Sequence, residues 1–189
     1  MRKHLVLAVA VTAVFIVGAF GPGLAAAAVT PTGVTDTITM NLEKGALGFV
    51  APESIHVGDD LKILNETDPK KVGPHTFSLV TKSSLVKTPK AGKSCFTPKH
   101  ICFSIAQWHG FNPKTETITI NPAEAGPKGW STMGSTSKKG DSWFTGEKKT
   151  GTSNTQLVTA QPGTIYFMCA IHPEMQGSVK VLPPVVPAL

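Results

Sequence analysis

The sequence predicts an all-β fold, a two-sheet β-sandwich interrupted by a long loop-rich insert. Three observations carry that expectation. Short segments alternate apolar and polar residues, clusters of turn residues punctuate them, and no segment has a convincing amphipathic helical period. Short alternating strands with turns between them bury one face each, and two sheets packed face to face are the economical way to cover those faces.

Residues 1–28 stand apart from this pattern. Arg2, Lys3 and His4 precede an apolar run from Leu5 to Phe20, and Gly21 to Ala28 is rich in small residues. A basic start, an apolar middle and a small-residue end describe a secretory signal peptide cut near Ala28. The apolar run is long for a signal, so an uncleaved N-terminal membrane anchor is the alternative. The segment holds no Cys for a lipid anchor. An exported protein is expected (periplasmic, cell-envelope or extracellular), with residues 29–189 as a single domain.

Charge narrows the partners. The chain carries 18 basic and 12 acidic residues, a net +6, and Arg2 and Lys3 leave with the signal. The modest excess that remains has no aromatic-interleaved basic stripe, so a nucleic-acid partner is not expected; solvated lysines account for it.

Asp36–Leu42 alternates and reads as the first strand. Ile55 and Val57, then Leu61 and Ile63, extend the pattern across a turn at Gly58, Asp59 and Asp60. Asn65, Glu66, Thr67, Asp68 and Pro69 form a turn cluster, after which His75, Phe77 and Leu79 share one face of a further strand. The character changes over the insert, about residues 81–153. Cys95 and Cys102 enclose six residues, and in an exported chain such a pair is expected to form a disulfide. Thr115–Asn121 alternates as another strand, whereas Gly126–Ser153 is rich in Gly, Ser, Thr and Lys and reads as an exposed, mobile loop. Trp108, Trp130 and Trp143 are expected to pack the insert onto the sandwich.

The most informative stretch is Gly163–Val181. Ile165, Phe167 and Cys169 alternate with Tyr166, Met168 and Ala170, so one strand face carries the Cys sulfur inward; Val179 and Val181 mark a second strand. Between them, Cys169, His172 and Met175 place a thiol, an imidazole and a thioether within seven positions. A soft sulfur, a thiolate and an imidazole suit copper, and a trigonal copper site needs a second His. His75 is the best candidate. His56, His100 and His109 are its rivals, and each is expected on the surface.

On these residues the chain resembles the cupredoxins, the blue (type 1) copper proteins. The resemblance spans roughly Asp36 to Pro183 apart from the insert. It is carried by Glu53–Asn65, by Gly73-Pro-His75, by Pro162–Cys169, and by His172-Pro-Glu-Met175 with Gly177. The Cys-x2-His-Pro-x-Met spacing is similar to the short ligand loop of amicyanin-like members. The resemblance implies a Greek-key sandwich and one copper ion held by His75, Cys169, His172 and Met175, with Gln176 as a distant alternative for the axial place. It departs from the family at Thr76, where many members have an Asn that ties the two ligand loops together; a hydroxyl can donate one such bond.

The implied function is one-electron transfer, Cu(II)/Cu(I), to redox partner proteins through the exposed edge of His172, with Pro74, Ile171 and Pro173 around it. No small-molecule substrate is implied. Enzymatic activity is not expected, since a copper oxidase or nitrite reductase needs further His-rich sites, usually paired as His-x-His, and no such pair occurs. The alternative is copper delivery or storage without electron transfer, for which exposed Met or His clusters would be expected; Met40, Met133, Met168 and Met175 form none.

Overall fold

Alternation over the first strand buries Ile38 and Met40, and over the third and fourth strands it buries Ile55, Leu61 and Ile63. The computed structural model describes residues 31–115, 117–118, 124–125 and 129–185. The expected signal peptide lies outside the described residues.

In chain order the strands begin with β1 (Thr35–Glu43), β2 (Ala46–Val50), β3 (Ser54–His56), β4 (Asp60–Asn65) and β5 (Thr76–Val80). The insert contributes β6 (Phe111–Asn112), β7 (Thr117–Ile118), β8 (Glu124–Ala125) and β9 (Ser142–Phe144), and the chain closes with β10 (Ser153–Leu157), β11 (Gly163–Met168) and β12 (Gln176–Leu182). Among the described residues three short α-helices intervene, α1 (Pro69–Val72), α2 (Pro89–Ser94) and α3 (Ile101–Trp108), with a 3-10 turn at Lys82–Ser84. One sheet runs β10-β4-β1-β2 and the other β3-β12-β11-β5-β9-β8, with β6-β7 as a separate pair. The two-sheet β-sandwich is as expected. Its core lies between the sheets, where Ile38, Met40, Leu61 and Ile63 meet Phe77, Leu79, Ile165, Phe167, Val179 and Val181.

The chain passes from one sheet to the other at the β3–β4 turn. Gly58 takes φ +96° there, a region that suits glycine. Asp59 fixes the turn by accepting from the His56 amide and the Thr32 hydroxyl, each at 2.6 Å.

The insert differs most from expectation. It is not a loop. Thr88 caps α2 by accepting from the Ala91 amide, and Pro89 occupies the first turn, where its missing N–H is harmless. The Cys95–Cys102 disulfide joins α2 to α3 as expected. Cys95, Ile101, Cys102 and Ile105 then pack on Val80, Met168 and Ala170, the outer face of β5 and β11. β5 and the Phe167–Met168 end of β11 are therefore buried on both sides, and all five residues of β5 are buried. Within the exposed loop expected over Gly126–Ser153, residues 136–139 and 147–151 are exposed, whereas 129–135 are buried or half-buried and 140–145 are buried. Trp130 is buried in the sandwich core and donates its indole N–H to the Leu61 carbonyl at 3.1 Å. β9 pairs with β5 through Thr76↔Phe144, Phe77↔Trp143 and Ser78↔Ser142. Of the strand expected over Thr115–Asn121, Thr117–Ile118 is present as β7, and residues 119–121 lie outside the described residues.

Gly134 and Gly140 mark where the insert is laid on β5. Gly134 donates to the Leu79 carbonyl at 2.9 Å, and a Cβ at Gly140 would press on the Leu79 carbonyl and the Gly134 backbone. Backbone cannot swing away as a side chain can. Gly140→Ala is expected to destabilise the protein by about 1–3 kcal/mol. Gly48→Ala, where an added Cβ meets only Asn41 Oδ1 at 4.0 Å, is the control, and chemical denaturation of both variants checks it.

Candidate metal centre

β11 ends at Met168, and the chain turns through Cys169–Met175 into β12. Two backbone bonds close this loop: the Cys169 amide donates to the Met175 carbonyl at 2.9 Å, and the Met175 amide to the His172 carbonyl at 2.8 Å. Pro173 stiffens the turn between them. On the neighbouring strand, His75 stands one residue before β5. Its amide donates to Thr145 Oγ1 at 2.9 Å, and its carbonyl accepts from the Thr145 amide at 3.0 Å. The insert thus holds one side of the site and the β11–β12 loop the other.

Three ligand atoms converge. Nδ1 of His75 and Nδ1 of His172 are 3.1 Å apart, and Cys169 Sγ is 3.8 Å from each. Ligand atoms about 2.0–2.1 Å (nitrogen) and about 2.3 Å (sulfur) from one ion fall at such separations. His75 and Cys169 are both 0% exposed, Met175 is 1%, and His172 is half-buried. Met175 lies in the same apolar cluster as Cys169.

Proton counting settles which His75 nitrogen faces the site. Thr67 Oγ1 gives its one proton to Asn65 Oδ1 at 2.7 Å, so in its 2.8 Å contact with His75 Nε2 it accepts. His75 therefore carries its proton on Nε2 and presents a lone pair from Nδ1. His172 is held differently, by a hydrogen bond to the Val72 backbone at the end of α1.

Burial sets the proton affinities. It lowers the His75 pKa from 6.5 to about 4, with the nearby His172 as a second cause. Burial also lowers that of His172, against the opposing pull of Glu174 and the Val72 backbone. Both imidazoles are thus kept neutral, as a metal requires. Burial pushes the Cys169 thiol up, while hydrogen bonds from the Thr76, His172 and Ile171 amides and the Thr76 side chain favour the thiolate. The Thr76 and His172 amides each lie 3.4 Å from the sulfur. Without a metal the thiol keeps its proton; a cation would displace it into a pocket already supplied with donors.

The donor set is that of a type 1 copper site. Two imidazoles and one thiolate in a triangle, with a thioether on the same loop, match copper's preference for mixed nitrogen and soft sulfur. A structural zinc site would call for a fourth nitrogen, thiolate or carboxylate, and among the described residues the cluster comprises His75, Cys169 and His172 alone.

No protein-family model matches the chain, and no curated protein matches its sequence. Among solved structures it is similar to auracyanin B, at 17% identity and TM-score 0.41 over 82% of this chain and 91% of that one. It is also similar to auracyanin A, a "blue" copper protein of Chloroflexus aurantiacus, at 16% and 0.39 over 79% and 99%. Reduced rusticyanin follows at 19% and 0.34 over 81% and 83%. Likenesses this remote leave the reading to the site itself. That site is a type 1 copper donor set held in a two-sheet β-sandwich.

His75, Cys169 and His172 are brought together as expected. His56 is half-buried beside Asp59 and His100 is exposed. His109 corrects the expectation of a surface residue: it is 4% exposed, at the end of α3. Gln176 turns its amide away, donating to the Val86 carbonyl at 2.8 Å. Thr76 ties the two ligand loops, by accepting where a donated bond was expected: the Ala170 amide donates to its Oγ1 at 2.8 Å. Thr67, Asn65 and Thr145 were not picked out in the sequence; a turn cluster ahead of a ligand strand was the available signal for the first two.

Two outcomes are expected. Thr67→Val removes the acceptor that selects the His75 tautomer and weakens copper binding about 10–100-fold, measured by competition with a chelator. In the copper-free protein the unfolded chain takes up the His75 proton before the folded one does, so stability falls as pH drops from 6.5 towards about 4 and that loss stops below it. Thermal melts across this range should show a shallower pH slope for His75→Gln than for the parent.

Proposed function

We propose that the chain is an exported cupredoxin that binds one copper ion through His75, Cys169 and His172, with Met175 as the weak axial ligand, and carries single electrons between protein partners. The triangle of Nδ1, Nδ1 and Sγ, brought together where β5 begins and β11 ends, is the observation that supports this most. Bound copper would supply a one-electron Cu(II)/Cu(I) couple.

The chain's own residues fit that task. Both strands at the site are packed on two faces, so the donors have little room to rearrange, and a fixed geometry keeps the structural change on each electron step small. His172 is the most open of the four, beside half-buried Pro74, Ile171 and Pro173. Its imidazole edge is the natural route for outer-sphere transfer to a protein docked on that apolar rim. Nearly complete burial of the other three donors argues against a delivery protein, which must release its ion. The Cys95–Cys102 disulfide fits an oxidising, extracytoplasmic compartment.

The test is an optical spectrum of the purified chain with one equivalent of Cu(II), beside Cys169→Ser. An intense blue band that bleaches on reduction and is missing from the variant is expected. Copper bound with only a pale spectrum would point to copper handling; no binding would remove the copper reading.

A further inference from the structure

β5 turns Phe77 and Leu79 into the sandwich core and Thr76 and Ser78 outward, beneath the insert. These two hydroxyls are buried and do not stand alone. Ser78 Oγ lies 2.7 Å from Ser142 Oγ on β9, and Ser142 Oγ lies 2.8 Å from His109 Nε2 at the end of α3. Ser78 Oγ also donates to Thr76 Oγ1 at 3.0 Å. All four residues are buried, at 6% exposure or less.

A hydroxyl has one proton and two lone pairs, so the direction of every link is fixed. Ser78 spends its proton on Thr76; in the contact with Ser142, Ser142 must then be the donor. Ser142 has no proton left, so His109 Nε2–H donates to it. Thr76 Oγ1 accepts from both Ser78 and the Ala170 amide. Both its lone pairs are taken, and its backbone amide donates to Cys169 Sγ at 3.4 Å. The links run one way, His109, Ser142, Ser78, Thr76, and the Thr76 amide makes the contact with the sulfur.

We propose that this aligned chain of hydroxyls, anchored by His109, sets the electron density on the Cys169 sulfur and favours the reduced state of the site, a reading that rests on the copper assignment above. Every O–H and N–H dipole in the row points its positive end towards Thr76, whose amide meets the sulfur. Reduction adds negative charge there, and aligned bonds polarise one another, so the far members contribute through the near ones. Thr76, Ser78, Ser142 and His109 act as positioning residues: only Thr76 touches a donor. The insert, which supplies Ser142 and His109, thereby becomes part of the centre's tuning as well as its cover.

The experiment measures the reduction potential and the energy of the blue band in copper-loaded parent, Ser78→Ala, Ser142→Ala, His109→Leu and His109→Gln. Ser78→Ala is expected to shift the Cu(II)/Cu(I) equilibrium several-fold towards Cu(II), up to about tenfold, or about 59 mV for one electron. Ser142→Ala and His109→Leu should shift it the same way by successively less. His109→Gln, which keeps an N–H, should stay close to the parent. A purely structural role would lower the melting temperature and leave potential and band in place; that result overturns the proposal and leaves the copper reading standing. A parent that does not turn blue sinks both. Nitrogen-15 NMR of the copper-free parent decides independently of any variant's folding: His109 protonated at Nε2 supports the chain, and a lone pair at Nε2 breaks its direction and refutes it.

Discussion

The register of β11 against β5 governs the rest. Tyr166 faces Val80, Phe167 faces Leu79 and Met168 faces Ser78. Carried two residues further, that pairing sets Ala170 opposite Thr76, which is where the Ala170 amide meets the Thr76 hydroxyl. Cys169 is then delivered to the inner face beside His75. A slip of one residue would turn the sulfur to the outer face and put Met168 in the core in its place. The register is held against that error on both faces. Phe167 packs edge-to-face on Phe49 and tilted on Phe77 in the core, and Met168 and Ala170 pack under the disulfide-linked helices outside.

Two-sided burial carries a cost that explains the hydrogen bonds around the site. An imidazole and a thiol removed from water lose their solvation, and each needs a replacement partner. His75 Nε2 has Thr67, and Thr67 has Asn65; Cys169 has the amides of Thr76 and His172. Each partner also orients the group it satisfies. The nitrogen turned into the site is His75 Nδ1, 3.1 Å from His172 Nδ1 and 3.8 Å from the sulfur. The cavity is therefore polar at its rim and electron-rich at its centre, an arrangement that favours a cation over a proton only if the cation suits sulfur and nitrogen together.

Much of this was legible in the sequence, for a physical reason. A ligand loop closed by backbone bonds between its own ends must have a fixed length, so Cys169, His172 and Met175 keep a spacing that can be read directly. His75 was legible because it adjoins an alternating strand. The insert was not legible. α2 and α3 are six and eight residues long, too short for a helical period to stand out. The polar outer face of β5 misled in another way. Thr76 and Ser78 look like solvent-facing residues of a half-buried strand, and nothing near them in sequence announces that α3 and β9 will cover them. His109 was misjudged for the same reason: its partner Ser142 lies 33 positions away.

The insert is best understood from what the outer face of β5 would be without it. Thr76, Ser78, Val80, Met168 and Ala170 would face water, and the bond between Thr76 and the Ala170 amide would compete with solvent. Covering that face dries it, which strengthens each hydrogen bond along it because the surrounding dielectric falls. The disulfide places Cys95 and Cys102 directly in this cover, so the covalent link restrains the part of the insert that rests on the two residues flanking Cys169. A segment that reads as low-complexity decoration is thus the outer wall of the site. The ligand loop supplies the donors, while the insert excludes the water that would otherwise loosen them.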